Sequence, residues 1–235
     1  MKTTELLKKT VYASLIIQIL TSIANIWVLN IKTSPSLGII RELVITELTV
    51  QIVEAIFYAW LAYNILTVTD ITPKRYYDWF FTTPTMLVTL VAYFIYLKYR
   101  KEGRDTSDLS LYDIIKQEGP ILAWIAILNI AMLGFGFLGE IKKMPMLTSV
   151  FFGFIAFVAY FYTIYEKYVS FVPEYAWSFY TFVVLWALYG ISAMLPYTEK
   201  NIGYNILDLF SKNFFGVFLT YVLYTENLKT TTLYN

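Results

Sequence analysis

The sequence predicts an all-α protein built as a bundle of seven transmembrane helices. Of its 235 residues, 58% are hydrophobic and only 15% are charged, a balance far from that of a soluble domain. Apolar runs of about 20 residues, long enough to cross the hydrocarbon core of a bilayer, recur along the whole chain. Short polar connections separate these runs. The chain therefore has room for seven spans in a single domain, 1–235, and for little else.

Each predicted span is defined by its apolar run and by the polar residues that flank it. The first run begins near Val11 without a small-residue cleavage site, so we expect a retained span and not a signal peptide. Pro120 is expected at the start of the fourth span, where a missing N–H is tolerated, and a surface turn or short helix is expected before it, around 109–115. The predicted spans are 10–30, 38–68, 74–100, 120–138, 146–168, 174–196 and 202–226.

Composition excludes several classes of function. The formal net charge is +1 and there is no basic tract, so no nucleic-acid surface is expected. The chain has neither Cys nor His, which argues against thiol chemistry and against the usual zinc sites. Without a nucleophile motif, we expect neither an enzyme nor a bound metal.

The distribution of basic residues bears on the orientation in the membrane. Lysines and arginines are divided almost evenly between the two sides of the predicted bundle. Only the cluster of Lys98, Arg100, Lys101 and Arg104 has the density of a cytoplasmic loop. This cluster predicts an extracellular N-terminus and a cytoplasmic C-terminus.

Four ionisable residues lie inside predicted spans, where a charge is expensive and marks a functional site by default. Arg75 and Asp78 are three residues apart on span three, and Asp208 and Lys212 are four apart on span seven. Each pair therefore falls on one helical face. The simpler interpretation is a structural ion-pair network that joins the two spans.

The sequence around these four residues favours the functional interpretation. Span three contains Arg-Tyr-Tyr-Asp-Trp-Phe-Phe-Thr-Thr-Pro at 75–84, and span seven contains Asp-Leu-Phe-Ser-Lys at 208–212. These segments resemble the third and seventh helices of microbial rhodopsins, the family of bacteriorhodopsin. Both motifs fall in the expected spans of a seven-span chain.

The resemblance implies a covalently bound chromophore, all-trans retinal, held as a protonated Schiff base on Lys212. It also implies that Asp78 and Asp208 are counterions of that group and that Arg75 balances the second carboxylate. An opposite charge nearby favours the charged form of the imine. The resemblance further assigns five residues to the chromophore pocket: Trp79, Thr82, Met86, Trp186 and Tyr189.

Three positions depart from the family pattern. Gly190 stands where bacteriorhodopsin has a proline after the tyrosine, and Ala193 stands where it has another tryptophan. Outward proton pumps of the family carry a carboxylate proton donor eleven residues after the span-three counterion, and this position is Thr89. Because a threonine does not release a proton near neutral pH, the substitution argues against a pump.

Spans one and two carry hydrophilic residues for which a pump has little use. At about 100° per residue, the polar residues of span one fall within about 80° and those of span two within about 60°. Asn205 lies near the face of Asp208 and Lys212. These stripes predict a cation path, although Ser, Gln and Asn also hydrogen-bond between membrane helices. The stripes consist of Ser14, Gln18, Ser22 and Asn25 on span one and Glu47, Gln51 and Glu54 on span two, and the predicted path takes in Ser14, Gln18, Glu47, Gln51, Glu54 and Asn205.

The function predicted from these features is a light-gated channel for monovalent cations. Glutamates along the second span are similar to those of channelrhodopsins and of the virus-encoded group of microbial rhodopsins. A constriction is expected where Ser14, Glu54 and Asn205 meet. A light-driven outward proton pump and a photosensory receptor are the alternatives within the family, and a retinal-free transporter is the alternative outside it. The expected partners are membrane lipid and the transported cations or protons, and a homo-oligomer is left open.

Overall fold

The computed structural model describes residues 2–65, 67 and 70–233 and has the predicted all-α architecture. Seven helical segments are long and apolar enough to cross a membrane. Six of them contain the helices α1 to α6. The seventh span contains two α-helices, α7 and α8, joined by a π-helical turn. The bounds are α1 Lys2–Leu29, α2 Gly38–Asn64, α3 Thr72–Lys101, α4 Leu111–Glu140, α5 Met146–Ile164, α6 Ala176–Ala193, α7 Tyr197–Asp208 and α8 Phe214–Leu233.

The start of α4 differs most from the prediction. The helix begins at Leu111, so Pro120 lies inside it and the expected surface helix is its first part. The side chain of Ser110 accepts a hydrogen bond from the backbone N–H of Asp113 at 3.1 Å, and Glu42 accepts one from that of Leu111 at 2.6 Å. Because these contacts satisfy N–H groups that a helix start leaves free, the helix begins nine residues before the predicted position.

The seventh span is not a regular helix. A π-helical turn at Leu209–Asn213 separates α7 from α8, and Lys212 lies within it. Such turns insert an extra residue into a helix and often occur at functional sites. The span also begins at Tyr197, five residues before the predicted start.

Apolar side chains face both outwards and inwards, as expected of a bundle in lipid. Ile16, Leu20 and Ile23 of α1 are more than half exposed. The helix α3 is the most enclosed of the seven spans, with 67% of its central window buried. Most of the buried polar side chains belong to α1, α2, α3 and the seventh span.

Candidate functional site

Lys212 lies at the centre of a buried cluster of carboxylates from three spans. Its Nζ is 2.5 Å from Asp78 Oδ2 on α3, 3.4 Å from Glu54 Oε1 on α2 and 3.7 Å from Asp208 Oδ1 on α7. All four side chains are almost completely buried. A buried charge is tolerated only when it is paired, and here one ammonium faces three carboxylates. The sequence predicted two of them near Lys212 and assigned Glu54 to the ion path alone.

Asp208 is held by three hydrogen-bond donors. Its Oδ2 accepts a hydrogen bond from the Tyr58 hydroxyl at 2.6 Å and one from Arg75 Nη1 at 3.3 Å. Its Oδ1 accepts one from the Tyr189 hydroxyl at 2.7 Å. Asp78 differs, because its Oδ2 contacts Lys212 while its Oδ1 has no hydrogen-bond partner among the described residues. Of these two carboxylates, only that of Asp78 therefore has an oxygen that accepts no hydrogen bond from a described residue.

Arg75 is completely buried and links α3 to α7. Besides Asp208, its guanidinium donates to the side-chain oxygen of Asn201 at 3.1 Å and to that of Asn205. The Tyr58 hydroxyl on α2, which donates to Asp208, lies 3.2 Å from the same Asn205 oxygen. With Lys212, the cluster holds two bases and three acids, so it carries an excess of one negative charge when every group is ionised.

A cavity lies next to Lys212, between α3, α4, α5, α6 and the seventh span. Its lining is mostly aromatic and apolar, and it includes the small residues Gly136, Gly153 and Gly190. Four of the five residues assigned to a chromophore pocket line it, namely Trp79, Met86, Trp186 and Tyr189.

The fifth of these residues, Thr82, does not line the cavity. Its hydroxyl donates to the backbone carbonyl of Asp78 at 2.9 Å, and the neighbouring Thr83 lines the cavity instead. The Thr83 hydroxyl in turn donates to Asn129 Oδ1 at 2.8 Å. The Thr82 hydroxyl therefore contacts the backbone of Asp78. The Thr83 hydroxyl links α3 to α4 at the wall of the cavity.

The departure at Gly190 has a structural reason. A Cβ atom built at Gly190 would lie 2.5 Å from the ring of Phe154, which lines the cavity from α5. Such a distance is not tolerated by a real side chain. Phe154 thus fills the space that a residue larger than glycine would occupy on α6, and the cavity is closed on this side from α5.

The predicted polar stripes of α1 and α2 both face the interior. Ser14, Gln18, Glu47, Gln51 and Glu54 have no exposed surface at all. The Ser14 hydroxyl donates to the backbone carbonyl of Asn205 at 3.1 Å, which brings two members of the predicted constriction together. Glu54, the third member, contacts Lys212 and has no hydrogen bond to either of them among the described residues.

Some stripe residues are hydrogen-bonded between helices. Ser22 and Asn25 of α1 both donate to Gln51 Oε1, at 3.3 and 3.2 Å. Asn25 Oδ1 accepts from Thr220 of α8 at 2.6 Å. Ser22, Asn25 and Gln51 therefore form interhelical hydrogen bonds of the kind that is common between membrane helices.

Other stripe atoms are buried without a hydrogen-bond partner among the described residues. They comprise both amide atoms of Gln18, both carboxylate oxygens of Glu54, Nε2 of Gln51 and Oε2 of Glu47, and Nδ2 of Asn213 on the seventh span also has none. The helices α1 and α2 contact each other at Ser22 and Gln51, and one or two turns further along both contact Asn205. The side chains of Gln18 and Glu54 therefore lie between these two sets of contacts. A run of unsatisfied polar atoms in an enclosed space is where water or an ion can bind.

Two contacting residues were missed at the sequence level, although the same periodicity identifies them. Tyr58 lies one turn beyond Glu54 on the face of α2 that carries Glu47 and Gln51. Asn201 lies one turn before Asn205 on α7, and its amide donates to Thr72 of α3 at 3.0 Å. Extending each polar face by one turn would have included both residues.

Comparison with known proteins gives a family and several related folds. The family model described as bacteriorhodopsin-like protein matches residues 6–226. The viral rhodopsin OLPVRII is 28% identical, with a TM-score of 0.77 over 92% of this chain and 96% of its own. No curated protein matches the chain.

Two further structures are similar in fold. Xanthorhodopsin, described as a light-driven ion pump with a dual chromophore, is 16% identical with a TM-score of 0.76 over 98% of this chain and 97% of its own. The proton-pumping rhodopsin AR2 of the marine alga Acetabularia acetabulum is 18% identical with a TM-score of 0.70 over 96% of this chain and 97% of its own. At such identities the likeness concerns the fold alone.

Proposed function

Because the chain belongs to the bacteriorhodopsin-like family, whose members bind retinal, we propose that it binds all-trans retinal through Lys212 and conducts monovalent cations under illumination. The cavity supports the first part of the proposal, since it adjoins Lys212 and is lined by the rings and small side chains that suit a flat apolar polyene. Trp79, Met86, Trp186 and Tyr189 would hold the polyene. When bound, retinal supplies a light-driven isomerisation and an imine linkage that carries a proton.

The carboxylates around Lys212 have separate roles in this proposal. Asp78 and Asp208 stabilise the positive charge at Lys212 Nζ, as opposite charges at this distance do. Asp78 takes the proton after illumination, since its Oδ1 has no competing donor. Asp208 remains a carboxylate, because three donors already stabilise its negative charge. Arg75 offsets that charge and fixes Asn205.

One observation above all supports the cation path. Buried polar atoms of Gln18, Gln51 and Glu54 have no hydrogen-bond partner among the described residues, and Glu54 contacts Lys212. Amide and carboxylate oxygens can replace part of the hydration shell of an ion. A conducted cation at Glu54 would also offset the excess negative charge of the cluster. Ser14 and Asn205 would restrict the path, because their contact joins α1 to α7.

Voltage-clamp recording under illumination tests the channel directly. We expect a photocurrent that reverses with voltage, at a potential that follows the sodium or potassium gradient when these ions are exchanged. Glu54→Gln should lower this current by about tenfold, since an ion and a carboxylate at about 4 Å interact by on the order of 1–4 kcal/mol in wet surroundings. Glu42→Gln is the matched control, because Glu42 lies on the same helix and contacts α4.

Other outcomes of this recording would count against the channel. A current that keeps one direction at every voltage and gradient contradicts a passive path. An unchanged current in Glu54→Gln, with the reversal potential also unchanged, removes Glu54 from the path.

A light-driven outward proton pump is the second candidate, and the contact between Lys212 Nζ and Asp78 Oδ2 favours it. This contact would let a proton leave Lys212 towards the end of the bundle at which α3 begins. The recording above separates the two candidates, since a pump current does not follow the sodium or potassium gradient.

The membrane contains the seven spans of this multi-pass protein, and we propose that the N-terminus is extracellular. The basic residues at the end of α3 support this orientation by the positive-inside rule. They also interact with acidic residues there, since Arg100 pairs with Glu226 and Lys101 pairs with Glu174.

A further inference from the structure

A second cavity lies at the end of the bundle where α3 ends and α4 begins. It is bounded by the last turns of α3, by the first turns of α4 and by a π-helical turn, Tyr165–Val169, that ends the fifth span. It shares no lining residue with the cavity next to Lys212. The function proposed above therefore makes no use of this second cavity.

The wall of the second cavity is apolar at depth and charged towards the end of the bundle. Phe94 is buried on α3, one turn deeper than Lys98, and Ile121 lies ten residues into α4, roughly 15 Å from its start. Arg104 lines the cavity from the connection beyond the end of α3. An acyl chain and a headgroup present the same gradient where a bilayer meets water, so the wall matches a lipid in both parts.

Two of the basic side chains are held against aromatic rings of the wall. Lys98 Nζ lies 4.0 Å from the ring centroid of Phe171, and Arg104 Cζ lies 3.6 Å from that of Tyr99. Both rings line the cavity. A cation–π contact orients a cation without neutralising its charge, so these two groups stay available to an anion.

The basic residues of the wall are not balanced by acids. Three basic and two acidic residues line the cavity. The ion pairs that the described residues form at this end leave out Lys98 and Lys167. Arg104 contacts Glu102 at 3.4 Å, but both side chains are about half exposed, and such surface pairs contribute little. An anion can therefore be bound without breaking a buried ion pair.

The π-helical turn supplies three neighbouring residues of the wall, Glu166, Lys167 and Tyr168. Tyr168 is buried, and its hydroxyl donates to Glu118 Oε2 of α4 at 2.7 Å. This hydrogen bond engages one of the two acids of the wall and fixes the turn against α4. Turns of this kind often occur at functional sites, as the one that carries Lys212 also does.

We infer that the second cavity binds the phosphate group of an anionic phospholipid, whose acyl chain lies against Phe94 and Ile121. Lys98, Arg104 and Lys167 would hold the phosphate, since charge-assisted hydrogen bonds to phosphate are among the strongest that side chains form. Basic pockets between membrane helices suit such headgroups. A free phosphate ion offers the same charge but has no use for the apolar wall. The inference requires neither retinal nor conduction.

A competition experiment on the full-length protein in a neutral maltoside detergent tests the ligand. Phosphatidylglycerol with a fluorescent acyl chain should show energy transfer from the tryptophans and should be displaced by unlabelled phosphatidylglycerol. Phosphatidylcholine should displace it far less, because its headgroup has no net charge. Equal displacement by phosphatidylcholine would overturn the preference for an anionic lipid, and displacement by inorganic phosphate alone would make the site one for a free anion.

Charge variants locate the binding site. Lys98→Gln and Lys167→Gln should each weaken the binding of phosphatidylglycerol about fivefold, as expected for one basic residue at an anionic headgroup. Lys116→Gln is the matched control, because Lys116 is exposed on α4 at the same end and does not line the cavity. Arg104→Gln, at an exposed position outside the helices, repeats the test without a change in any span. Equal binding in all four variants would refute the site.

A variant of the apolar wall separates a lipid from a free anion. Ile121→Trp places a larger side chain in the wall and should weaken the binding of phosphatidylglycerol several-fold, since the acyl chain loses its space. Ile127→Trp is the matched control, because Ile127 is exposed on the same helix and does not line the cavity. Unchanged binding of the lipid in Ile121→Trp would show that the chain does not lie in the cavity and would overturn the inference.

Discussion

At the scale of single residues, the centre of the bundle consists of one amine and the carboxylates that balance its charge. Lys212 faces three carboxylates within 3.7 Å, and only Asp208 has all of its oxygens engaged by donors from other side chains. The positions are therefore not equivalent. Asp78 can accept a proton, Asp208 can keep its charge, and Glu54 can interact with a passing cation.

Lys212→Ala should abolish all visible absorbance after retinal is supplied, because no other lysine of the described residues lines the cavity. Lys200→Ala is the matched control, since Lys200 is also a buried lysine of the seventh span but pairs with Glu140 at 2.9 Å. That variant should still form a pigment, with at most a loss of stability from leaving Glu140 unpaired. Absorption spectra of the two purified variants make the comparison, and a coloured Lys212→Ala protein would refute the linkage.

At the scale of helices, the sequence predicted those features that depend on the residues of a single helix. Span length and hydropathy predicted all seven segments, and the 100° periodicity predicted the buried faces of α1 and α2. The start of α4 was also encoded locally, since Ser110 followed by Asp113 is a capping signature. Pro120 was given more weight than this signature, and the predicted start was wrong for that reason.

The contacts between side chains of different helices could not be predicted from the pattern within each helix. The contact of Glu54 with Lys212 and that of Glu47 with Thr89 depend on the rotation of α2 relative to its neighbours. The π-helical turn that carries Lys212 has no local signature either, because the extra residue is absorbed by packing. The residues of the site were therefore predictable, but their partners were not.

The packing of α8 against α2 gives a test of the path that removes no polar group. A Cβ atom built at Gly216 would lie 2.2 Å from Gln51 Nε2, so Gly216→Ala must displace that amide from its position beside the unpartnered atoms. We expect the photocurrent to fall several-fold while the absorption maximum stays unchanged. The cost in stability should be about 1–3 kcal/mol, as is typical of overpacking.

Gly134→Ala is the matched control for this variant, since a Cβ at Gly134 meets nothing within 4 Å. It should leave both the current and the colour unchanged. Equal currents in the two variants would mean that the amide of Gln51 does not lie on the path.

At the scale of the whole molecule, the bundle has two different ends. Towards the start of α3 the polar groups are densely hydrogen-bonded around Arg75, whereas towards the start of α2 the apolar residues Ile40, Leu43 and Val44 close the interior. A passive path must open at both ends. The direction of each step relative to the cell depends on the orientation of the bundle.

The orientation can be measured cleanly because the chain contains no cysteine. Single cysteines can be introduced at two exposed loop positions on opposite ends of the bundle, Asp108→Cys between α3 and α4 and Lys143→Cys between α4 and α5. With the N-terminus outside, a membrane-impermeant maleimide should label Lys143→Cys on intact cells and Asp108→Cys only after permeabilisation. The reverse labelling would place the basic cluster outside, against the positive-inside rule. The proton accepted by Asp78 would then leave towards the cytoplasm.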